Sequence, residues 1–311
     1  ENRDPLALKI ILAWSAVSEL VDNESYLVGL PWTLIWLSCC LQISAMTLLA
    51  SSSFRYAALT GLVAATLPLL ANHGLIYGYG EIFMSFFCLS FCSAAAYRSE
   101  YGGGVSFLIM VLAFLSLLFT KNSGPIFAAF LISSLILAHL SRKSKIAFII
   151  ALITTAICVI TISVKKLYFF KTGYTGSFIL LAGRKLKVRP SDPLEVLDNL
   201  THMLVINSSF SLLLITSIFA LTYSYSKILT THRVTLVFLV LSCLGLILFQ
   251  FTDLGFRHAV PGNDTGGSRF WIPVSVAAML LITQIFGAEQ QPEKSITSVN
   301  KREDPAKMRR K

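Results

Sequence analysis

The chain has 311 residues, of which 55% are hydrophobic and only 14% charged, with a formal net charge of +10 and a mean hydropathy of +0.70. That is more apolar surface than a water-soluble domain of this length can bury, so the composition excludes an ordinary soluble enzyme and leaves a polytopic membrane protein. The runs are separated by Ser, Gly and basic turns rather than by polar alternation, which favours a helical bundle over a barrel.

In chain order, the segment from Asp4-Pro5-Leu6 to Leu20 has the character of an amphipathic helix lying at an interface. The chain starts with Glu1 and carries no evident signal peptide, so a further helix is expected upstream. Nine apolar runs follow, near 31–50, 56–72, 80–97, 105–120, 125–140, 146–163, 203–225, 233–251 and 269–287, each of a length suited to a ~30 Å hydrocarbon core. The fold class expected is all-α: a transmembrane bundle of about nine spans over 1–287, with outer loops near 1–30, 72–80, 164–202 and 252–268. From Ala288 to Lys311 the chain is polar and basic, as expected of a disordered cytoplasmic tail.

If the tail is cytoplasmic, Arg55, Arg98, Arg142, Lys143, Lys145, Lys227 and Arg233 fall on its side of the membrane. The 164–202 loop is nevertheless basic, with Lys165, Lys166, Lys171, Arg184, Lys185, Lys187 and Arg189. Either the orientation is inverted or that loop meets an anionic partner such as lipid phosphate. Its aromatics Tyr168-Phe169-Phe170 suit a segment on the headgroups, a solvated connector is the plain alternative, and no nucleic-acid-binding fold is in view. Ser191-Asp192-Pro193 has the pattern of a helix start with Pro in the first turn.

All six cysteines (Cys39, Cys40, Cys88, Cys92, Cys158 and Cys243) fall inside apolar runs and read as small packing residues. Cys88 and Cys92 share a helical face, but without histidine partners they fit no zinc pattern, and neither a metal nor another cofactor is indicated.

Two motifs place charge at span ends, where ionisable groups are costly and therefore functional candidates. One is Gly78-Tyr79-Gly80-Glu81-Ile82-Phe83, followed after an apolar helix and a Gly-rich turn by Phe119-Thr120-Lys121-Asn122-Ser123-Gly124. The other is Gly266-Gly267-Ser268-Arg269-Phe270-Trp271-Ile272-Pro273. In order and spacing these resemble the core of the C-type membrane glycosyltransferases, which include protein O-mannosyltransferases and the aminoarabinose transferase of lipid A. The resemblance spans most of residues 30–287.

That resemblance implies transfer of a sugar from a polyprenyl-phosphate donor to a lipid, glycan or protein acceptor on the outer or lumenal face of a bacterial inner membrane or endoplasmic reticulum. Glu81 stands where the family usually shows Asp after Gly-Tyr-Ala, and would be the general base. Its plain alternative is a helix N-terminal glutamate favoured by the macrodipole. Lys121, before the helix break at Asn122-Ser123-Gly124-Pro125, would hold the phosphate, as would Arg269 beside the close-approach glycines and Arg257 on the same loop. Headgroup snorkelling is the alternative for Lys121, and an ordinary interfacial arginine for Arg269. His73, Tyr79, His258 and Asp264 are candidates for the acceptor or sugar pocket, with an interfacial belt or a solvated loop as their plain reading. The family's principal catalytic Asp lies on the first outer loop. Asp4 is the one aspartate before Asp22, and by the resemblance the base would otherwise lie upstream of Glu1.

A transporter or flippase for an anionic substrate is the competing class, since broken helices and membrane-level charges also mark substrate pathways. No similarity between the halves is evident, as internal repeats would require. A noncatalytic subunit of a membrane complex is the third reading.

Overall fold

The computed structural model describes residues 29–75, 80–120, 123–140, 193–201, 222, 231–250 and 268–288. Among these, the regular structure is entirely helical. The expected spans at 146–163 and 203–225, apart from Thr222, lie outside the described residues, as do the N-terminal interfacial segment, the 164–192 part of the basic loop and the tail beyond Ala288.

Helix α1 (Leu30–Ser51) opens with Pro31 in its first turn, where a missing N–H costs nothing, and ends at Ser52 in the left-handed region. The Ser52 N–H closes that cap on the Leu48 carbonyl at 2.8 Å. The chain then reverses into α2 (Phe54–Thr66) and α3 (Pro68–Leu75). The sequence suggests one span over 56–72, and the structure divides it. Pro68 disfavours helical backbone at the residue before it, and Leu67 accordingly takes an extended conformation with ψ 115°.

Helix α4 (Glu81–Tyr101) and α5 (Gly104–Thr120) form a hairpin through Gly102 and Gly103, both at positive φ, a conformation glycine adopts without penalty. Helix α6 (Gly124–Leu140) returns antiparallel to α5. Next among the described helices are α7 (Pro193–Thr201), which starts at the proline the sequence marks, α8 (Arg233–Gln250), a 3-10 turn (Ser268–Trp271) and α9 (Ile272–Ala288).

Helix α4 is the hub, packing against α1, α5, α6, α8 and α9. Its most apolar stretch is 72% buried, against 22% in α1 and 33% in α8. Cys88, Ser90, Cys92, Ser93, Ala94, Ala95 and Ala96 supply the small side chains that allow helices to approach this closely. Cys39, Cys40, Cys88 and Cys92 are free thiols buried in the bundle, and Cys243 is half-buried.

Among the described residues, three helices, α1, α4 and α8, are long and apolar enough to cross a membrane, with shorter apolar helices at Gly104–Thr120, Gly124–Ala138 and Ile272–Thr283. The outward faces carry Leu34, Leu37, Leu41 and Leu48 on α1, Leu108, Ile109 and Leu112 on α5, and Val240, Leu244 and Leu248 on α8. Such continuous apolar faces suit hydrocarbon rather than water.

Candidate functional site at the Glu81 end of the bundle

Glu81 is the first residue of α4, following the Gly80 turn, and is 2% exposed. A carboxylate there meets the unsatisfied N–H groups and positive dipole end of the helix. The turn is held by the Met84 N–H donating to the Gly80 carbonyl at 3.2 Å and by the Ser85 hydroxyl donating to the Glu81 carbonyl at 2.8 Å.

Three neighbouring elements converge on this end. The first turn of α1 packs Trp32 edge-on against Phe83, with ring centroids 5.5 Å apart. The Thr33 hydroxyl is shared between the carbonyls of Gly29 at 3.3 Å and Gly74 at 3.4 Å, tying α1 to the last turn of α3. Gly74 in turn lies directly on Trp36, and a Cβ there would run into the indole's own Cβ and Cγ. From the α5–α6 turn, the Ser123 hydroxyl donates to the Met84 sulfur at 3.3 Å.

Helix α8 arrives from the far side. It begins beside the last turn of α4, where the Ser99 hydroxyl donates to the Thr231 carbonyl at 3.1 Å and the Thr231 hydroxyl donates to Glu100 at 2.8 Å. Its 18 residues span ~27 Å at a rise of ~1.5 Å each, so Gln250 closes α8 near the Glu81 end. There Phe249 meets Phe270 of the 3-10 turn, with ring centroids 5.8 Å apart. Trp271 and Ile272, at the start of α9, are buried just below.

Of the residues singled out from sequence, Glu81 is the one whose side chain lies among those described. His73 falls on α3 and Arg269 on the 3-10 turn, so the backbone brings both to the same end as Glu81. Thr120 and Ser123, which bracket Lys121 and Asn122, are there as well. Asp4, Tyr79, Lys121, Arg257, His258 and Asp264 lie outside the described residues. No cluster of three or more His, Cys, Asp or Glu side chains occurs among the described residues.

Two polar groups at this end escaped the sequence reading. Gln250 is 2% exposed, and its carboxamide oxygen finds no hydrogen-bond donor among the described residues. The Trp36 indole N–H, also buried, finds no acceptor among them. The signal for Gln250 was a single amide closing an otherwise apolar run; Trp36 is indistinguishable in sequence from a packing tryptophan.

The opposite end is built differently. Arg98 donates to the Gly103 carbonyl at 2.6 Å and stacks 5.7 Å from the Phe107 ring centroid, stapling the α4–α5 turn. A cavity of about 10 Å³ lies there between Met46, Tyr97, Glu100, Tyr101, Thr231 and His232. It has room for one water and none for a sugar.

Comparison of the chain with protein-family models, with curated proteins and with solved structures finds no match.

Proposed function

We propose that the chain is an integral-membrane glycosyltransferase of about nine spans, using a polyprenyl-phosphate sugar donor and acting at the Glu81 end of the bundle. The observation carrying the reading is the buried carboxylate of Glu81 at a helix N-terminus, three residues from the Met84 sulfur that receives the Ser123 hydroxyl. Ser123 follows Lys121 by two residues in sequence, and its contact reaches the first turn of α4. A buried carboxylate beside a cation-bearing helix break is the minimum equipment for hydroxyl activation against a phosphate leaving group.

The reaction is a single displacement with inversion. The acceptor hydroxyl gives its proton to a carboxylate, that of Glu81 or of an acid earlier in the chain. The acceptor oxygen forms a bond to the anomeric carbon as the bond from that carbon to the phosphate oxygen breaks. The polyprenyl phosphate leaves with the electron pair, its charge held by Lys121 and Arg269, with Arg257 beside them. His73, Tyr79, His258 and Asp264 would border the sugar and acceptor, and no step calls on a metal. The orientation follows with the tail at residues 288–311 in the cytoplasm and the site on the outer or lumenal face.

The test is transfer of radiolabelled sugar from polyprenyl-phosphate donors to membrane or protein acceptors by the full-length gene product, with Lys121→Ala and Glu81→Gln beside it. Loss of at least 100-fold in Lys121→Ala, in a protein that elutes as the wild type does, supports the phosphate site. Transfer retained in Glu81→Gln moves the base to Asp4 or further upstream. No transfer by the folded wild-type protein with any donor rejects the assignment.

A transporter reading draws on a different observation. The hydroxyls of Ser93 on α4 and Ser242 on α8 are buried at membrane depth with no hydrogen-bond partner among the described residues. Intramembrane polar groups of this kind mark substrate routes. Movement of a labelled lipid-linked anion across proteoliposomes, unaffected by Lys121→Ala, would favour it.

A further inference from the structure

Gln250 occupies the last position of α8, on the ridge Phe238, Ser242, Leu246, Gln250, whose members at four-residue spacing are all buried in the bundle. Its amide therefore faces inward, among α4, α6 and α9, rather than toward lipid. A buried carboxamide oxygen lacking a donor is costly, and in native proteins such an atom is nearly always met by a protein group, a water or a ligand. The adjacent Phe249 contacts Phe270, the residue following Arg269, which places the amide beside the element expected to grip the donor phosphate.

We infer that Gln250 reads a hydroxyl of the donor sugar, its carboxamide oxygen accepting a hydrogen bond from one ring hydroxyl. This rests on the glycosyltransferase reading and adds to it a specificity contact that no charged motif supplies. Sugar is favoured over a lipid tail because the unmet group is an acceptor: it needs an O–H or N–H donor, which hydrocarbon lacks. It is favoured over phosphate because an amide oxygen repels an anion. A site that hydrogen-bonds a substrate hydroxyl rejects analogues lacking it, since its own polar group is then left buried and unmatched.

The experiment uses the full-length protein in detergent and short-chain polyprenyl phosphates of a hexose and a pentose, each with monodeoxy analogues. For the donor that the wild type uses, removing one particular hydroxyl is expected to lower kcat/KM roughly ten-fold. The near-isosteric Gln250→Met is expected to show the same loss with the complete donor and no additional loss with that one analogue. A glycerol-headgroup contact instead of a sugar contact would make the Gln250→Met loss depend on added phosphatidylglycerol and not on the sugar's hydroxyls, which overturns the inference. So does a wild type indifferent to every hydroxyl, a result that holds even if Gln250→Met does not fold. Failure of the wild type to use any donor is a separate outcome, which removes the glycosyltransferase reading and this contact with it.

Discussion

The Ser123 hydroxyl donates to the Met84 sulfur at 3.3 Å, joining residues 39 positions apart in sequence. It connects a residue two positions beyond Lys121 to one three positions beyond Glu81 through a weak contact between a hydroxyl and a thioether. Met84 is fully buried. Met84→Ala is therefore expected to cost about 2–5 kcal/mol through its cavity, and Ser123→Ala no more than about 1.5 kcal/mol. Unfolding in detergent micelles measures both, and equal losses would refute the expected excess of the packing contribution over that of the hydroxyl.

Gly124 and Gly104 make a contrasting pair. A Cβ at Gly124 would collide with the backbone carbonyl of Leu117, an atom that cannot rotate away, whereas nothing lies within 4 Å of a Cβ at Gly104. Gly124→Ala should destabilise by about 1–3 kcal/mol, because the clash lies with backbone at the start of α6. Gly104→Ala should be neutral or stabilising by up to about 1 kcal/mol. Melting temperatures of the two variants decide this, and similar shifts would refute the close packing of the α5–α6 turn.

Inside the α1–α2 hairpin the Thr60 hydroxyl donates to the Thr47 hydroxyl at 2.8 Å, with both residues buried. Hydrogen bonds between helices in lipid are worth roughly 0.6–2 kcal/mol. Thr60→Val, which keeps the shape and removes the polar atom, is expected to fall in that range. Thr47→Val combined with it should add little, because the partner is already gone.

The bundle's ends make a topological prediction. Gly29 precedes α1, and Ser52 follows it. Cysteines placed at the two positions should react with a membrane-impermeant maleimide from opposite sides of sealed vesicles, above the background of the parent chain. Leu41→Cys, on the outward face between them, should resist labelling from either side. Leu41→Arg should impair insertion by about 2.5–3.5 kcal/mol. Labelling of Gly29→Cys and Ser52→Cys from the same side would mean that α1 does not cross.

Helix ends were legible where a single residue enforces them. Pro31 opens α1, Gly102 and Gly103 turn the chain between α4 and α5, and Pro193 starts α7. The division of the 56–72 run at Pro68 was equally available, but hydropathy averages over a proline whose effect is on backbone geometry. Glu81 stood out because a carboxylate bounded by apolar residues is expensive. Gln250 and Trp36 did not, because a neutral amide or indole at the end of an apolar run costs little until its hydrogen bonds are counted in three dimensions.

Composition and periodicity by themselves determined that this is an apolar helical chain, where most of the described helices begin and end, and that Glu81 and Arg269 stand near helix starts. These are local properties, set by backbone preference and by the free energy of moving one segment out of water. The tertiary structure alone decided that α4 is the buried hub while α1 and α8 keep apolar faces outward, since nearly uniform hydropathy around a helix carries no direction. It likewise decided that the close of α8 returns to the start of α4 and brings Gln250 to the Glu81 end. That pairing depends on which helices pack together, and packing among small side chains, rather than hydrophobicity, distinguishes one apolar neighbour from another.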